Sequence, residues 1–156
     1  MKLYGYWRSS ATYRLRIALG LKGLAADYRP VNLLKGEQRD PAFLTISPQG
    51  LLPVFVTDTG ATLTQSLAVI EYLDETVPSP PLLPKEPLAR ARARQIAYAI
   101  ACEAQPLQNL RIQNYLRDDA GLGEDGVRRW LDRWIGGARG AGAGVPGETP
   151  PRHPPG

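Results

Sequence analysis

Two residue pairs in this chain stand where helix ends could do chemistry. Ser9-Ser10 follows an aromatic, apolar run, Leu3–Trp7, and precedes a helical pattern; Gln65-Ser66 opens a second helical stretch. Helix N-termini present unpaired N–H groups and a partial positive charge, so each pair could hold an anion, with a serine hydroxyl as a further donor. Each could equally be a plain N-cap. Leu52-Pro53 breaks a strand-like run. Its proline is either an edge-strand residue or, in cis, one that turns a free backbone edge toward an extended peptide. Together, two helix N-termini and one free strand edge would suit a small peptide bearing carboxylates and a thiol. The single histidine, His153, is the fourth residue from the end, and the single cysteine is Cys102. That excludes Ser-His-Asp catalysis, disulfide frameworks and His- or Cys-rich metal sites, so no metal is expected.

The elements that must position these residues can be read from pattern. Leu3–Trp7 reads as a strand. Tyr13, Ile17 and Leu21, with Leu15, Ala18 and Leu19, fit a helix capped by Ser9 or Ser10 and stopped at Gly23. Asp27–Leu34 reads as a second strand, at a sheet edge because of Pro30. A β-α-β order over residues 3–34 implies a parallel pair joined by a crossover helix. Asp40–Ile46 follows as a short helix with Pro41 at its first position, and Ser47–Gly50 as a turn. Leu51–Thr57 and Ala61–Leu63 form a hairpin, and a helix then runs from Gln65-Ser66 to about Asp74. This element order is that of a thioredoxin-like fold, without the Cys-x-x-Cys pair of redox members.

Prolines 78, 80, 81, 84 and 87 mark a semi-rigid linker. Beyond it, Leu88–Leu116 has helical spacing that Pro106 should kink or break, and Glu124–Ile135 is amphipathic through Val127, Trp130, Leu131 and Trp134. Cys102 falls on an apolar helix face and reads as a packed, inert thiol. Seven of the 16 glycines and five of the 15 prolines fall in residues 136–156, which read as a disordered tail. The expected division is therefore an α/β domain at 1–80, a linker at 81–87, part of an all-α domain at 88–135, and the tail.

Composition narrows the function classes. The 156 residues carry 19 basic and 15 acidic side chains, a net charge of +4 that is spread along the chain. This surplus favours small anionic ligands over nucleic acid. No apolar run reaches the ~20 residues of a membrane span, and Met1–Tyr4 leads directly into a strand rather than a signal peptide. A cytoplasmic protein is expected.

Four segments, in order, resemble the zeta-class glutathione transferases: Tyr6–Leu19 (YWRSSATYRLRIAL), Ser47–Pro53 (SPQGLLP), Gln65–Leu73 (QSLAVIEYL) and Pro106–Arg111 (PLQNLR). Ala11 stands where many zeta members carry cysteine. The resemblance implies a thioredoxin-like N-terminal domain, an incomplete transferase helical domain cut short near residue 135, and glutathione as cofactor. Ser9, assisted by Ser10, would stabilise the glutathione thiolate. Leu52, before Pro53, would pair its backbone with the cysteinyl part, and Gln65 and Ser66 would hold the γ-glutamyl carboxylate. Gln38 would reach glutathione from a loop, and Gln108 and Asn109 would border the site. Arg8 would grip a substrate carboxylate. Arg111 is a second cation of that kind or a solvated helix charge.

The activity implied is glutathione-dependent cis–trans isomerisation of maleylacetoacetate, or of maleylpyruvate, in aromatic ring catabolism. General conjugation of small electrophiles, or glutathione binding without turnover, are the alternatives. The implied partner is a small dicarboxylate, with no nucleic acid and no membrane. The homodimer usual in the family is set against the missing C-terminal helices. The abrupt change at Gly136 is what a shifted reading frame in GC-rich DNA would give; a natural flexible tail is the alternative.

Overall fold

The computed structural model describes residues 1–141, with side chains described for residues 1–135. The glycine- and proline-rich stretch 142–156, expected to be disordered, lies outside the described residues, and so does His153. The backbone divides into two compact units, 1–90 and 91 onward.

The first unit is built on four short strands, β1 (Lys2–Gly5), β2 (Asp27–Pro30), β3 (Val54–Val56) and β4 (Thr62–Thr64), in the order β2-β1-β3-β4. β1 runs parallel to β2, with Leu3 opposite Tyr28, and antiparallel to β3, with Leu3 opposite Phe55. β3 pairs antiparallel with β4, as a hairpin requires. α1 (Ser10–Leu21) makes the crossover between β1 and β2, and α2 (Pro41–Leu44) and α3 (Ser66–Thr76) complete the unit.

Strand alternation sends successive side chains to opposite faces. Leu3 and Phe55 therefore join Leu15, Leu19, Val69 and Leu73 of α1 and α3 in one buried cluster. Their neighbours Tyr4 and Val54 pack on the other face with Val31 and Phe43. The sheet thus packs on both faces.

Most expected elements form, with shorter strands. β2 stops at Pro30 rather than Leu34, because proline has no N–H to continue a ladder; a 3₁₀ turn, Leu33–Lys35, follows. A second 3₁₀ turn, Glu37–Arg39, carries Gln38. β3 begins only at Val54, after the proline.

The proline-rich segment differs from a free linker. The Lys22 ammonium donates to the Val77 carbonyl at 2.6 Å, to the Pro80 carbonyl at 2.6 Å and to Asp74 at 2.5 Å. Asp74 in turn accepts from the N–H groups of Leu82 and Leu83. These bonds fasten residues 77–83 to the first unit.

In the second unit the long helical pattern is broken several times. α4 (Pro87–Tyr98) continues as a π-helical turn, Ala99–Ala104, and ends through α5 (Gln105–Leu107). Pro106 cannot supply the N–H that a continuous helix needs there, so the widened turn precedes it and the helix stops after it. α6 (Leu110–Asn114) restarts with Asn109 as N-cap, a second π-helical turn spans Tyr115–Asp119, and α7 covers Gly123–Ala141. α7 therefore passes the Ile135 end expected from composition, so residues 136–141 are helical rather than part of a disordered tail. Three of those six residues, Gly136, Gly137 and Gly140, are poor helix formers, so the helix runs on there against local propensity. Trp130 Nε1 donates to the Leu107 carbonyl at 2.7 Å and tilts against Trp134. Among the described residues no helix is long and apolar enough to cross a membrane.

Candidate functional site

Ser9 is the N-cap of α1, with extended backbone, and its Oγ accepts from the Thr12 N–H at 3.2 Å. A capping serine accepts through lone pairs and keeps its own O–H hydrogen. Ser9 can therefore cap α1 and still donate outward, toward an anion at the helix N-terminus. Ser10, at the first helical position, is exposed beside it. A turn closed by the Ser9 N–H on the Tyr6 carbonyl at 3.0 Å precedes the cap and carries Arg8 on the surface.

Gly5 fixes how closely α1 approaches the sheet. A Cβ added there would lie 2.3 Å from Thr12 Cγ2 and 3.1 Å from the Tyr28 ring. Thr12 itself is buried, and its Oγ1 accepts from the Tyr6 N–H. The strand-to-helix turn is thus held from both sides, and Ser9 is placed by packing as well as by its cap.

The second expected N-terminus has an unexpected geometry. Gln65 has φ 66° and ψ 105° and makes no side-chain cap on α3. It is the one non-glycine residue with positive φ among the described residues. Sparsely populated backbone of this sort persists where the surroundings enforce it, and the Gln65 side chain is exposed. Ser66 begins α3, is buried, and accepts from Arg14 Nη1 at 2.8 Å. Arg14, on α1, ties the two N-terminal segments together. Sequence reading gave Arg14 no role, because a mid-helix arginine carries no local mark of what it reaches.

The Leu52–Pro53 bond is cis. Among the described residues neither the N–H nor the carbonyl of Leu52 is hydrogen-bonded, so this stretch of main chain is open to an extended ligand. Gln38 lies against the same loop. A Cβ at Gly50, where φ is 61°, would meet the Gln38 carbonyl at 3.0 Å, and Gln38 Oε1 is buried without a hydrogen-bond partner. A buried unpartnered amide oxygen is costly and marks a place where a donor belongs.

Within the first unit Arg14 links α1, which begins at Ser9-Ser10, to Ser66 at the start of α3, and Gln38 lies against Gly50, two residues before Leu52. In the second unit Asn109 caps α6 through the Ile112 N–H at 3.3 Å, and the Gln108 carbonyl accepts from Gln113 Nε2 at 2.7 Å. Arg111 is exposed on α6. Cys102 is exposed, against the packed thiol expected. The apolar periodicity that placed it on a helix face is real, but Ile96, Tyr98 and Ile100 are exposed as well.

A thioredoxin-like sheet with an anion-ready serine at the first helix and an open main-chain edge before a cis proline is an arrangement that suits a small anionic peptide. Comparison with known proteins makes this specific. Residues 3–81 match the family described as glutathione S-transferase, N-terminal domain. The chain is 49% identical over 138 residues to a maleylacetoacetate isomerase of Pseudomonas aeruginosa, covering 87% of this chain and 65% of that protein. A solved bacterial zeta-class maleylpyruvate isomerase superposes with a TM-score of 0.87 at 41% identity, over 90% of this chain and 66% of its own. A maleylacetoacetate isomerase from Methylobacterium extorquens AM1, solved with malonate and glutathione, gives 0.86 at 43% identity, over 88% and 64%. The chain belongs to the glutathione S-transferase family, in its zeta-class, maleylacetoacetate isomerase branch. It spans about 65% of the length of the curated relative it matches.

Proposed function

We propose that this chain binds glutathione and serves the glutathione-dependent cis–trans isomerisation of maleylacetoacetate to fumarylacetoacetate, in tyrosine and phenylalanine breakdown. The observation that carries the reading is Ser9, whose Oγ is engaged as a cap by Thr12 while its O–H remains to donate at the N-terminus of α1. Donors and a helix dipole lower a thiol from its ordinary pKa near ~8.5, which is what a glutathione sulfur needs to react near neutrality.

The other residues fit the rest of that tripeptide. The open main chain of Leu52, before Pro53, matches an extended cysteinyl unit. Ser66 and the exposed, uncapping side chain of Gln65 suit a carboxylate at the start of α3. The buried, unpartnered Gln38 Oε1 suits an N–H donor of the peptide. When bound, glutathione supplies a thiolate that adds to a conjugated cis double bond and leaves again after rotation about it. The protein holds the sulfur deprotonated through Ser9 and Ser10. It fixes the peptide through main chain, and it meets a substrate carboxylate with Arg8; Arg111, like the residues before it on the same segment, is assigned by resemblance alone. Gln108 and Asn109 are assigned to the site by resemblance. The division at 1–80 and 88–135 and a cytoplasmic location belong to the same proposal, while the family's homodimer is set against the missing C-terminal helices.

The test is an ultraviolet assay of maleylacetoacetate and maleylpyruvate isomerisation with and without glutathione. Isomerisation that requires glutathione and leaves it unconsumed is expected. Consumption of glutathione would instead identify a general transferase. Tight glutathione binding with no turnover would reduce the proposal to a binding chain, and equal rates without glutathione would overturn it.

A further inference from the structure

The turn Tyr6–Ser9 presents two side chains that the bonding around it does not use. Its first residue is anchored, since Tyr6 is buried and its N–H reaches Thr12 Oγ1. Its last residue is anchored too, since Ser9 closes the turn and caps α1. The two residues between project outward. Trp7 is 72% exposed, and the Arg8 guanidinium carbon lies 5.6 Å from the centre of the Trp7 ring. Tyr6 flanks that ring at 6.0 Å, tilted by 58°. Among the described residues the Arg8 side chain makes no salt bridge or hydrogen bond, so the Trp7 ring is what holds it.

An indole left this exposed buries little apolar area, so folding does not account for its presence at the turn. A guanidinium held over an aromatic face has a property that suits this place. The face is satisfied by the ring, while the N–H donors, which lie in the guanidinium plane, stay free for a carboxylate. The next residue is Ser9. We propose that Trp7 is a positioning residue. Its ring holds the Arg8 guanidinium edge-outward beside the Ser9 site, ready to take one carboxylate of a small dicarboxylate substrate. This rests on the proposed use of Ser9 and Arg8 above and adds the residue that pre-orders the cation. Without the ring, a long flexible side chain on a turn tip would lose rotamer freedom on each binding event.

The experiment measures malonate binding by calorimetry to the full chain saturated with glutathione, for the parent and for Trp7→Ala, Trp7→Phe, Arg8→Ala and the Trp7→Ala/Arg8→Ala pair. Glutathione affinity and melting midpoint are recorded for each. Trp7→Ala is expected to weaken malonate about two- to fivefold, the range of an exposed cation–π contact, with glutathione affinity and melting unchanged. Trp7→Phe, which keeps a ring face, restores most of the affinity. In the Arg8→Ala background, Trp7→Ala has no further effect, because a positioning residue acts only through what it positions.

Unchanged malonate affinity in Trp7→Ala overturns the inference. So does an equal further loss in the Arg8→Ala background, or a joint fall in glutathione affinity and melting that would mark a merely structural tryptophan. A parent chain that binds glutathione but not malonate refutes this inference alone; one that does not bind glutathione refutes the proposed function with it.

Discussion

Replacing Lys22 by Met tests what fastens the proline-rich segment to the first unit. The Lys22 side chain is 0% exposed and donates to three acceptors, Asp74 Oδ1 and the carbonyls of Val77 and Pro80, at 2.5–2.6 Å. Methionine keeps most of the aliphatic stem and its packing but removes the charge and all three bonds. Breaking a buried ion pair from one side costs ~3–5 kcal/mol, because the partner is left uncompensated. Asp74 keeps the N–H groups of Leu82 and Leu83 and is 16% exposed, which places the expected loss at the lower end, about 3 kcal/mol. That is a large share of the ~5–15 kcal/mol that holds an ordinary domain folded.

The assay is hydrogen exchange of the α1 and α3 amides across a urea series, read segment by segment so that the two units are not averaged. A change under about 1 kcal/mol in those segments would refute the reasoning, since it would mean the three bonds were worth no more than solvent-exposed ones.

The same site carries a pH signature whose sign is fixed. Burial pushes the Asp74 carboxyl up, but the Lys22 hydrogen bond, the Leu82 N–H, the Lys22 charge and the Leu83 N–H together outweigh it and hold Asp74 below the usual carboxylate value. A depressed folded-state pKa gives stability that is present above the unfolded value, near 3.8, and is lost as pH falls through the lower folded value. In Lys22→Met two of the four depressing influences are gone, so the loss of stability on acidification below the ordinary carboxylate range shrinks relative to the parent. An unchanged acid dependence of the urea midpoint would show that Lys22 is not what depresses Asp74.

Ser9→Ala should cost about 1 kcal/mol through the lost cap on α1 and should return the bound glutathione thiol toward ~8.5, read by thiolate absorbance against pH; an unshifted titration would remove Ser9 from the site. Gly5→Ala should destabilise by ~1–3 kcal/mol through overpacking, because the new methyl meets Thr12 Cγ2 at 2.3 Å, and calorimetric melting shows it. Cys102, being exposed, should react with a thiol reagent in the folded chain as fast as after unfolding; protection lifted only by urea would contradict its placement.

What sequence made legible was whatever rests on local signals. Ser9 and Gly23 bound α1 because a hydroxyl cap and a left-handed stop are single-residue properties, and Gly23 does take φ 66°. Pro41 at the start of α2 and the break at Pro106 follow from the missing N–H. The β3–β4 hairpin follows from its turn. What stayed hidden depends on partners distant in sequence. Nothing near Lys22 announces Asp74, more than fifty residues on, or the carbonyls beyond it, so the proline-rich run read as a linker. Gln65 carries no mark of positive φ, since that conformation is imposed by the chain on either side. Cys102 was misplaced because periodicity names a face without saying whether anything covers it.

The candidate site shows why its residues were ambiguous from sequence. A serine before a helix reads as a cap, and in the structure Ser9 is one. The two readings are not rivals, because capping uses the oxygen lone pairs and stabilising an anion uses the hydrogen. Ser66 repeats the pattern, with its oxygen accepting from Arg14 and its hydrogen left to give. Leu52 is the main-chain counterpart, since its side chain packs with the Val31–Phe43 cluster while its N–H and carbonyl stay open. In each case the structural bond orients the group and leaves its complementary half for a ligand. The same residue types elsewhere in the chain, such as Thr45 bonded back to the Ala42 carbonyl, spend the hydroxyl hydrogen locally and have none to offer. The discriminating feature is therefore not which residue stands at the helix end but which half of its hydrogen-bonding capacity the fold leaves unspent.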